Sequence, residues 1–389
     1  MGYSEPRQFE PLLPSDPRNE LATSAKEIAR ESARLSARAH PTTLARLREL
    51  LRAMNSYYSN RIEGQSTHPL NIERALKKDF SAQPDTARLQ RIALAHLEAE
   101  RQLETSADEP LTAAFTLQAH AAMYGRLSAE ERTTPDGIVV APGALRTQQV
   151  TVGRHLPPVP EALEKFLARY EEAYRGSTSA EARLIAIAAA HHRLAWIHPF
   201  VDGNGRATRL VTHRALSTIS GGLWSICRGL ARQRDDYYAG LRDADAPRRG
   251  DLDGRGNLSD EGLRRWCSFF LGICADQVGF MGRLLDLDAM KTRIFALVSF
   301  RAATLHVLKP EIALALHHVF AAGPVTRGEF KQLTGMSDRT GQRQLQALLA
   351  DGLLESDSAL GPVRFGMPLD ALQFLFPDLY PEAATKPER

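Results

Sequence analysis

The 389 residues are 43% hydrophobic and 24% charged, enough to bury a full core and to build two or three domains. Lys and Arg number 49 against 46 Asp and Glu, a formal charge of +3, so no global field marks a binder of polyanions. The three cysteines, Cys227, Cys267 and Cys274, lack metal-ligand spacing and read as reduced thiols, and no apolar run reaches the ~18 residues of a membrane span.

In chain order, residues 1–20 are rich in proline and charge and read as an irregular arm over the surface. The opening MGYSEPRQFE has no apolar leader core, so a cytoplasmic location without membrane attachment is expected by elimination. From Glu20 the pattern turns helical through Ala37. Pro41 opens a second helix, about residues 41–64, in which Leu44, Leu47, Leu51, Met54 and Tyr58 recur at intervals of three and four. It closes on SNRIEG, with Gly64 placed as a left-handed cap. Ser59 and Glu63 are four apart and face the same way; taken alone, such a Glu is a solvated carboxylate that the helix dipole disfavours.

Residues 65–110 continue as helices, with turns at Pro69 and Pro84. Residues 111–126 form a further apolar helix, on which His120 reads as a core histidine with a satisfied partner. The stretch 137–158 breaks the helical rule. Its glycines and the alternating QVTV at 149–152 read as a short hairpin, whose exposed edge would accept an extended segment by strand addition. Residues 160–174 and 179–197 are helical again, and Pro199 drives His198 out of the α region.

The next stretch, HPFVDGNGRATR at 198–209, is the densest in chemistry. A helical pattern resumes at Arg206, so the loop feeds a helix N-terminus, where the amides of Gly203, Asn204 and Gly205 lack intrahelical partners and the dipole adds positive potential. Arg206 and Arg209 share a face in the first turn, where the dipole disfavours cations, which suggests an anionic ligand; a surface turn with solvated arginines is the bland alternative. There is neither a G-x-x-x-x-G-K-[ST] nor an H-E-x-x-H pattern.

Further on, DLDGRGN at 251–257 imitates a calcium loop, but Arg255 holds its fifth position and Gly262 stands where the bidentate Glu is needed, so it reads as a polar loop. Residues 260–285 close the core. Helical patterns at 309–321, 326–334 and 337–350, followed by a hairpin at 353–367, resemble a winged helix-turn-helix with Arg339 and Arg343 on its third helix and Arg364 on its wing. Residues 291–370 hold nine Lys and Arg against seven Asp and Glu, so DNA contact and protein docking both stay open. Residues 381–389 read as a disordered tail.

The 198–209 stretch resembles the Fic family signature, H-P-F-x-D-G-N-G-R-x-x-R, without departure. SNRIEG is similar to that family's inhibitory-helix motif, [S/T]-x-x-x-E-[G/N], with Ser59 and Glu63 in the matching places. The resemblance implies a mainly α fold: an N-terminal helical region, 1–110, carrying the inhibitory helix; a Fic core, 111–286, with a short β-hairpin flap; a C-terminal winged-helix domain, 287–375; and a tail, 376–389.

It further implies a protein adenylyltransferase that moves AMP from ATP to a Ser, Thr or Tyr hydroxyl of a target protein, the chain itself included. In that reading His198 is the base and Asp202 holds Mg²⁺ or Mn²⁺. Gly203, Asn204, Gly205, Arg206 and Arg209 take the phosphates, with the Asn204 side chain as an extra donor, and Tyr237 or Tyr238 stacks on adenine. Arg146, Val150 and Val152 of the flap dock the target, and Glu63, supported by Ser59, pairs with Arg209 and keeps the enzyme silent. Removal of AMP and a homodimeric assembly stay open. Phosphorylating Doc-type relatives carry lysine at the position of Gly205, so glycine argues for adenylylation. The alternative from another class is a nucleotide-sensing, DNA-binding transcriptional regulator with the winged helix as its output.

Overall fold

In the computed structural model, which describes residues 2–176, 179–305 and 308–380, the N-terminal arm makes one 3-10 turn, Pro6–Phe9, and enters helix α1 (Glu20–Leu35). That helix buries Leu21, Ala25, Ile28 and Leu35 along one stripe. The next three helices, α2 (Pro41–Ile62), α3 (Pro69–Leu76) and α4 (Pro84–Glu104), each begin on proline, whose fixed φ suits the first turn and whose missing N–H has no partner to lose there. The His40 and His68 Nδ1 atoms cap α2 and α3, each accepting an amide two residues on at 3.2 Å.

Four helices then build the centre: α5 (Ala113–Tyr124), α6 (Leu163–Tyr174), α7 (Ala180–Ile197) and α8 (Asn204–Ser220). Ala186, Ala188, Ala189 and Ala190 make α7 narrow and apolar nearly all round, so it is enclosed by α1, α6 and α8. Helices α9 (Cys227–Arg232), α10 (Arg234–Ala244) and α11 (Asp260–Leu284) close this layer. Next, α12 (Leu287–Leu305) leads into a C-terminal unit of α13 (Ile312–Ala322), α14 (Arg327–Leu333), α15 (Asp338–Ala350), the antiparallel strands β1 (Leu354–Glu355) and β2 (Arg364–Phe365), and α16 (Leu372–Leu375). Val325, between α13 and α14, makes an isolated antiparallel bridge to Val363 beside this two-stranded sheet.

One hydrophobic core runs from Phe9 to Tyr380. The C-terminal unit is therefore seated on α2. The Thr43 hydroxyl donates to the Phe320 carbonyl at 2.9 Å, the Tyr58 hydroxyl to that of Leu379 at 3.1 Å, and the Tyr380 hydroxyl to that of Leu50 at 3.2 Å. Among the described residues no helix is long and apolar enough to cross a membrane, and the three cysteines are buried and unpaired.

Three expectations are corrected. The N-terminal arm is anchored rather than superficial: Phe9 packs on Phe166 and Trp196, and buried Arg193 donates to the Pro11 carbonyl at 2.7 and 3.1 Å. The tail does not begin at 376, because Phe376, Leu379 and Tyr380 are buried against the core; residues 381–389 lie outside the described residues. Finally, the flap at 137–158 is no paired hairpin, only the isolated bridges Thr133–Val139 and Val152–His155. Pro157 and Pro158 lack amide donors, and buried Arg146 takes the Gln148 and Pro158 carbonyls, at 3.0 and 2.5 Å, that a facing strand would need.

Candidate active site

The end of α7 sets the first functional group. His198 leaves the α region as Pro199 requires, but into the left-handed region, φ 50° and ψ 61°, a strained conformation for a non-glycine residue. Its Nδ1 faces the Ala195 carbonyl at 3.3 Å, which puts the ring proton on Nδ1 and leaves the Nε2 lone pair free. Burial pushes its pKa down to about 4, with His155 and Arg146 adding repulsion, so the imidazole is neutral at physiological pH.

The loop then closes on itself. Phe200 donates its amide to Asn204 Oδ1 at 2.9 Å, and Asn204 Nδ2 donates to the Phe200 carbonyl at 2.8 Å. Asn204 is buried, and its amide group is consumed by this turn; the expected phosphate donor is a structural brace instead. Gly203 has φ 81°, and a Cβ there would collide with the Tyr124 ring. His120 accepts the Gly143 amide at Nδ1 (2.8 Å) and donates from Nε2 to the Asp202 carbonyl (3.1 Å), with its ring stacked between Phe200 and Tyr124. It is a satisfied core histidine, held neutral by burial, which pushes its pKa down to about 4, and it ties the flap to the loop.

Arg146 serves the same end and does not face a target. Its backbone amide donates to the Pro199 carbonyl and its Nε to the His198 carbonyl, both at 2.9 Å; with Nη1 on Gln148 and Nη2 on Pro158, each nitrogen of the buried guanidinium holds a carbonyl.

At the start of α8 the two arginines part. Arg206 donates to Gln65 Oε1 at 2.9 Å and to the Tyr124 hydroxyl at 2.6 Å. That hydroxyl in turn donates to Asp202 Oδ2 at 2.7 Å, so one phenol orients both the loop carboxylate and the first arginine. Arg209 is enclosed. It donates from Nε to Ser59 Oγ (2.9 Å), and from Nη2 to the Ser59 carbonyl (3.1 Å) and to Glu63 Oε1 (2.6 Å). Glu63 caps α2, and Gly64 takes the left-handed φ of 71°. The Glu63 side chain, 30% exposed, reaches the N-terminal turn of α8 so closely that a Cβ on Gly205 would strike it. Burial would raise the Glu63 pKa, but Arg209 and Arg206 outweigh it and hold the carboxyl below its usual range.

A polar cleft of 780 Å³ opens beside these groups, lined by Glu63, Asp202 and Arg206 on one side and by Gln148, Gln149, Val150 and Thr151 on the other. Val150 lines it; Val152, 40% exposed, bridges His155 outside the lining. Tyr237 cannot stack on a base, because its ring is buried and its hydroxyl meets His191 Nε2 at 3.0 Å. Tyr238 is half-buried, with its hydroxyl 3.4 Å from the Ile62 carbonyl, one residue before Glu63. Sequence reasoning missed Tyr124 and Gln65. The former ends an apolar helix four residues after His120, a position that nothing but the fold separates from ordinary core.

Residues 110–216 match the sequence model of the Fic/DOC family, and this segment is a Fic/DOC-family domain. A protein adenylyltransferase Fic of Nematostella vectensis is 31% identical over 193 residues, 48% of this chain and 42% of that protein. The protein of that name from Drosophila melanogaster is 43% identical over 75 residues, 19% of this chain and 15% of its own length, so the chain spans less than half of either relative. Two solved structures share the fold, each at 18% identity with a TM-score of 0.52. A Fic family protein from Desulfovibrio desulfuricans G20 aligns over 92% of this chain and 99% of its own, and Fic-1 from C. elegans over 69% and 72%.

Proposed function

We propose that this protein transfers AMP from ATP to a Ser, Thr or Tyr hydroxyl of a protein, and that Glu63 holds it inactive. The observation that carries the reading is the open N-terminus of α8, an anion seat flanked by Arg206 and Arg209 in which a carboxylate of the same chain already rests. The names of the curated relatives support the chemistry.

In this mechanism the target hydroxyl oxygen attacks the α-phosphorus, the α–β phosphoanhydride bond breaks, and pyrophosphate leaves. His198 Nε2 takes the hydroxyl proton; a neutral ring with its tautomer set by Ala195 is ready for that role at physiological pH. The Gly203 and Gly205 amides and Arg206 neutralise phosphate charge, and Arg209 joins them once Glu63 withdraws. Gln148 to Thr151, facing the loop across the cleft, would align an extended target segment.

The side chain of Asp202 is 52% exposed, and among the described residues only its Oδ2 is engaged. A lone, exposed carboxylate is a hard oxygen ligand and fits an Mg²⁺ or Mn²⁺ ion whose other ligands come from phosphates and water. Such an ion would supply charge neutralisation at the leaving pyrophosphate. Glu63, ionised and beside the cleft, would also align a water for removing AMP from a modified target.

Gly205 favours this reading over phosphorylation, because phosphorylating Doc-type proteins carry lysine at that position. The rival, a nucleotide-sensing regulator without catalysis, is separated by labelled ATP. With Glu63→Gly we expect label on the protein itself or on lysate proteins. Adding His198→Ala should abolish it while calorimetry still detects ATP binding. An unlabelled Glu63→Gly protein would leave the regulator as the better account.

A further inference from the structure

We infer that the C-terminal unit binds duplex DNA through the outward face of α15, a surface with no part in the proposed transfer reaction. The order α13, a single bridging residue at Val325, α14, α15, β1, β2 follows that of a winged helix-turn-helix, in which the helix in the position of α15 enters the major groove. The turn between α14 and α15 passes through Gly335 at φ 64°, and the two helices approach closely where Gly341 packs on the Lys331 side chain. This contact decides which way α15 faces.

Gln344, Leu345 and Leu348 go inward, with Gln344 Oε1 accepting the Lys309 amide at 2.8 Å. Arg339, Gln342, Arg343 and Gln346 are all exposed on the opposite side. Their spacing of three, four and seven from Arg339 makes one continuous stripe. Arginine and glutamine are the side chains whose forks match base edges in the major groove, the first at guanine O6 and N7, the second at adenine N6 and N7.

Charge on this face is more favourable than the composition of the unit indicates. Nearby carboxylates are engaged: Lys331 holds Asp338 at 2.5 Å, and Arg364 holds Asp357 at 2.8 Å and Glu355 at 3.4 Å. Among the described residues neither Arg339 nor Arg343 is paired with a carboxylate, and no acid interrupts the stripe. The loop joining β1 to β2 is braced, with Arg327 donating to the Gly361 and Ser358 carbonyls at 3.1 and 3.2 Å. A protein partner would favour an apolar or aromatic centre, and this stripe contains neither, so the surface fits a nucleic-acid duplex better than a protein groove.

The test uses the full chain and a fluorescently labelled random-sequence DNA duplex of about one and a half to two helical turns, followed by selection from the random pool. Anisotropy should show binding that weakens steeply as salt rises. On random-sequence duplex, where no guanine is matched to them, the two arginines rest against phosphates, so Arg339→Ala/Arg343→Ala should flatten the slope of log K against log salt by about 2, at about 0.9 for each phosphate no longer neutralised. Gln342→Ala/Gln346→Ala should retain random-duplex affinity but lose preference for the selected site, by roughly tenfold per base no longer read.

All four side chains are exposed, so thermal melting should be unchanged, and self-labelling in a Glu63→Gly background should be unaffected. That keeps a failure here distinct from a failure of the transferase reading. Three results would each overturn the inference: no duplex binding at low salt, binding indifferent to the arginine pair, or loss of labelling of one lysate protein in the arginine variant with DNA binding intact, which would assign the face to protein docking.

Discussion

Replacing Glu63 by glycine removes the carboxylate that holds Arg209 Nη2 at 2.6 Å and covers the N-terminal turn of α8. A γ-phosphate competing for the same guanidinium would meet that carboxylate at ion-pair range, taken as about 4 Å. At such a partly buried site the repulsion between two unit charges is about 4 kcal/mol, equivalent to nearly three factors of ten at ~1.36 kcal/mol each. Because 30% of the Glu63 side chain meets solvent, screening trims this, and we expect a gain of roughly 10²- to 10³-fold in productive turnover. Arg209 is not orphaned by the change, since Ser59 still accepts through Oγ at 2.9 Å and its carbonyl at 3.1 Å. The stability cost is one charge-assisted hydrogen bond, about 1.5–3 kcal/mol, partly offset because an anion at the C-terminal end of α2 is disfavoured by the helix dipole. Initial rates of self-labelling with ATP should rank wild type lowest, Glu63→Gly highest and Glu63→Gly/Arg209→Ala well below it. Equal rates for wild type and Glu63→Gly would refute the inhibitory role, and an undiminished double variant would refute the identity of Arg209 as the group released.

Tyr124→Phe keeps the ring under Gly203 but deletes the hydroxyl that joins Asp202 at 2.7 Å to Arg206 at 2.6 Å; two bonds to charged groups, about 1.5–3 kcal/mol each, should cost at least tenfold in kcat/KM and raise the Mg²⁺ concentration needed for half-maximal ATP binding by calorimetry. An unchanged Mg²⁺ requirement would show that the phenol is only packing. Burial holds His198 down to about 4, so kcat/KM of Glu63→Gly should be flat from about pH 8 to pH 6 and fall only well below the ordinary imidazole value of about 6.5. The sign for stability follows: below about pH 6.5 the unfolded imidazole takes a proton that the folded one refuses, so His198 withdraws stability as pH falls toward its folded value. An inflection near the ordinary value would contradict the buried, neutral base. Tyr380→Ala removes a ring packed on Tyr57 and a hydroxyl bonded to the Leu50 carbonyl at 3.2 Å, which should lower stability by about 3 kcal/mol and, by loosening α2, raise self-labelling of the otherwise wild-type chain. Labelling that stays at the wild-type level while the melting temperature drops would uncouple the C-terminal unit from inhibition.

Events settled within a few residues were legible from residue order. Proline starts α2, α3 and α4, Gly64 takes the left-handed position that ends α2, and the glycines around Asn204 mark an open helix end, because turns and caps depend on φ preferences and on partners three to five residues away. Gln149 to Val152 alternates as a strand does, yet no ladder forms, since the carbonyls that would pair are claimed by Arg146. The same contest for partners decided which signature side chains are free to act. Asn204 has the chemistry of a phosphate donor but spends its amide on Phe200, and Tyr237 has the chemistry of a base platform but is enclosed beside His191. Tyr124, with no motif to single it out, becomes the link between Asp202 and Arg206. Glu63 and Arg209 stand 146 residues apart, and periodicity says nothing about pairs at that distance; only resemblance to a family suggested the contact. A buried polar group must find a partner among whatever atoms the fold brings within about 3 Å. Residue order therefore determined which groups were capable of chemistry, and the packing of helices distant in the chain decided which of them were left free to perform it.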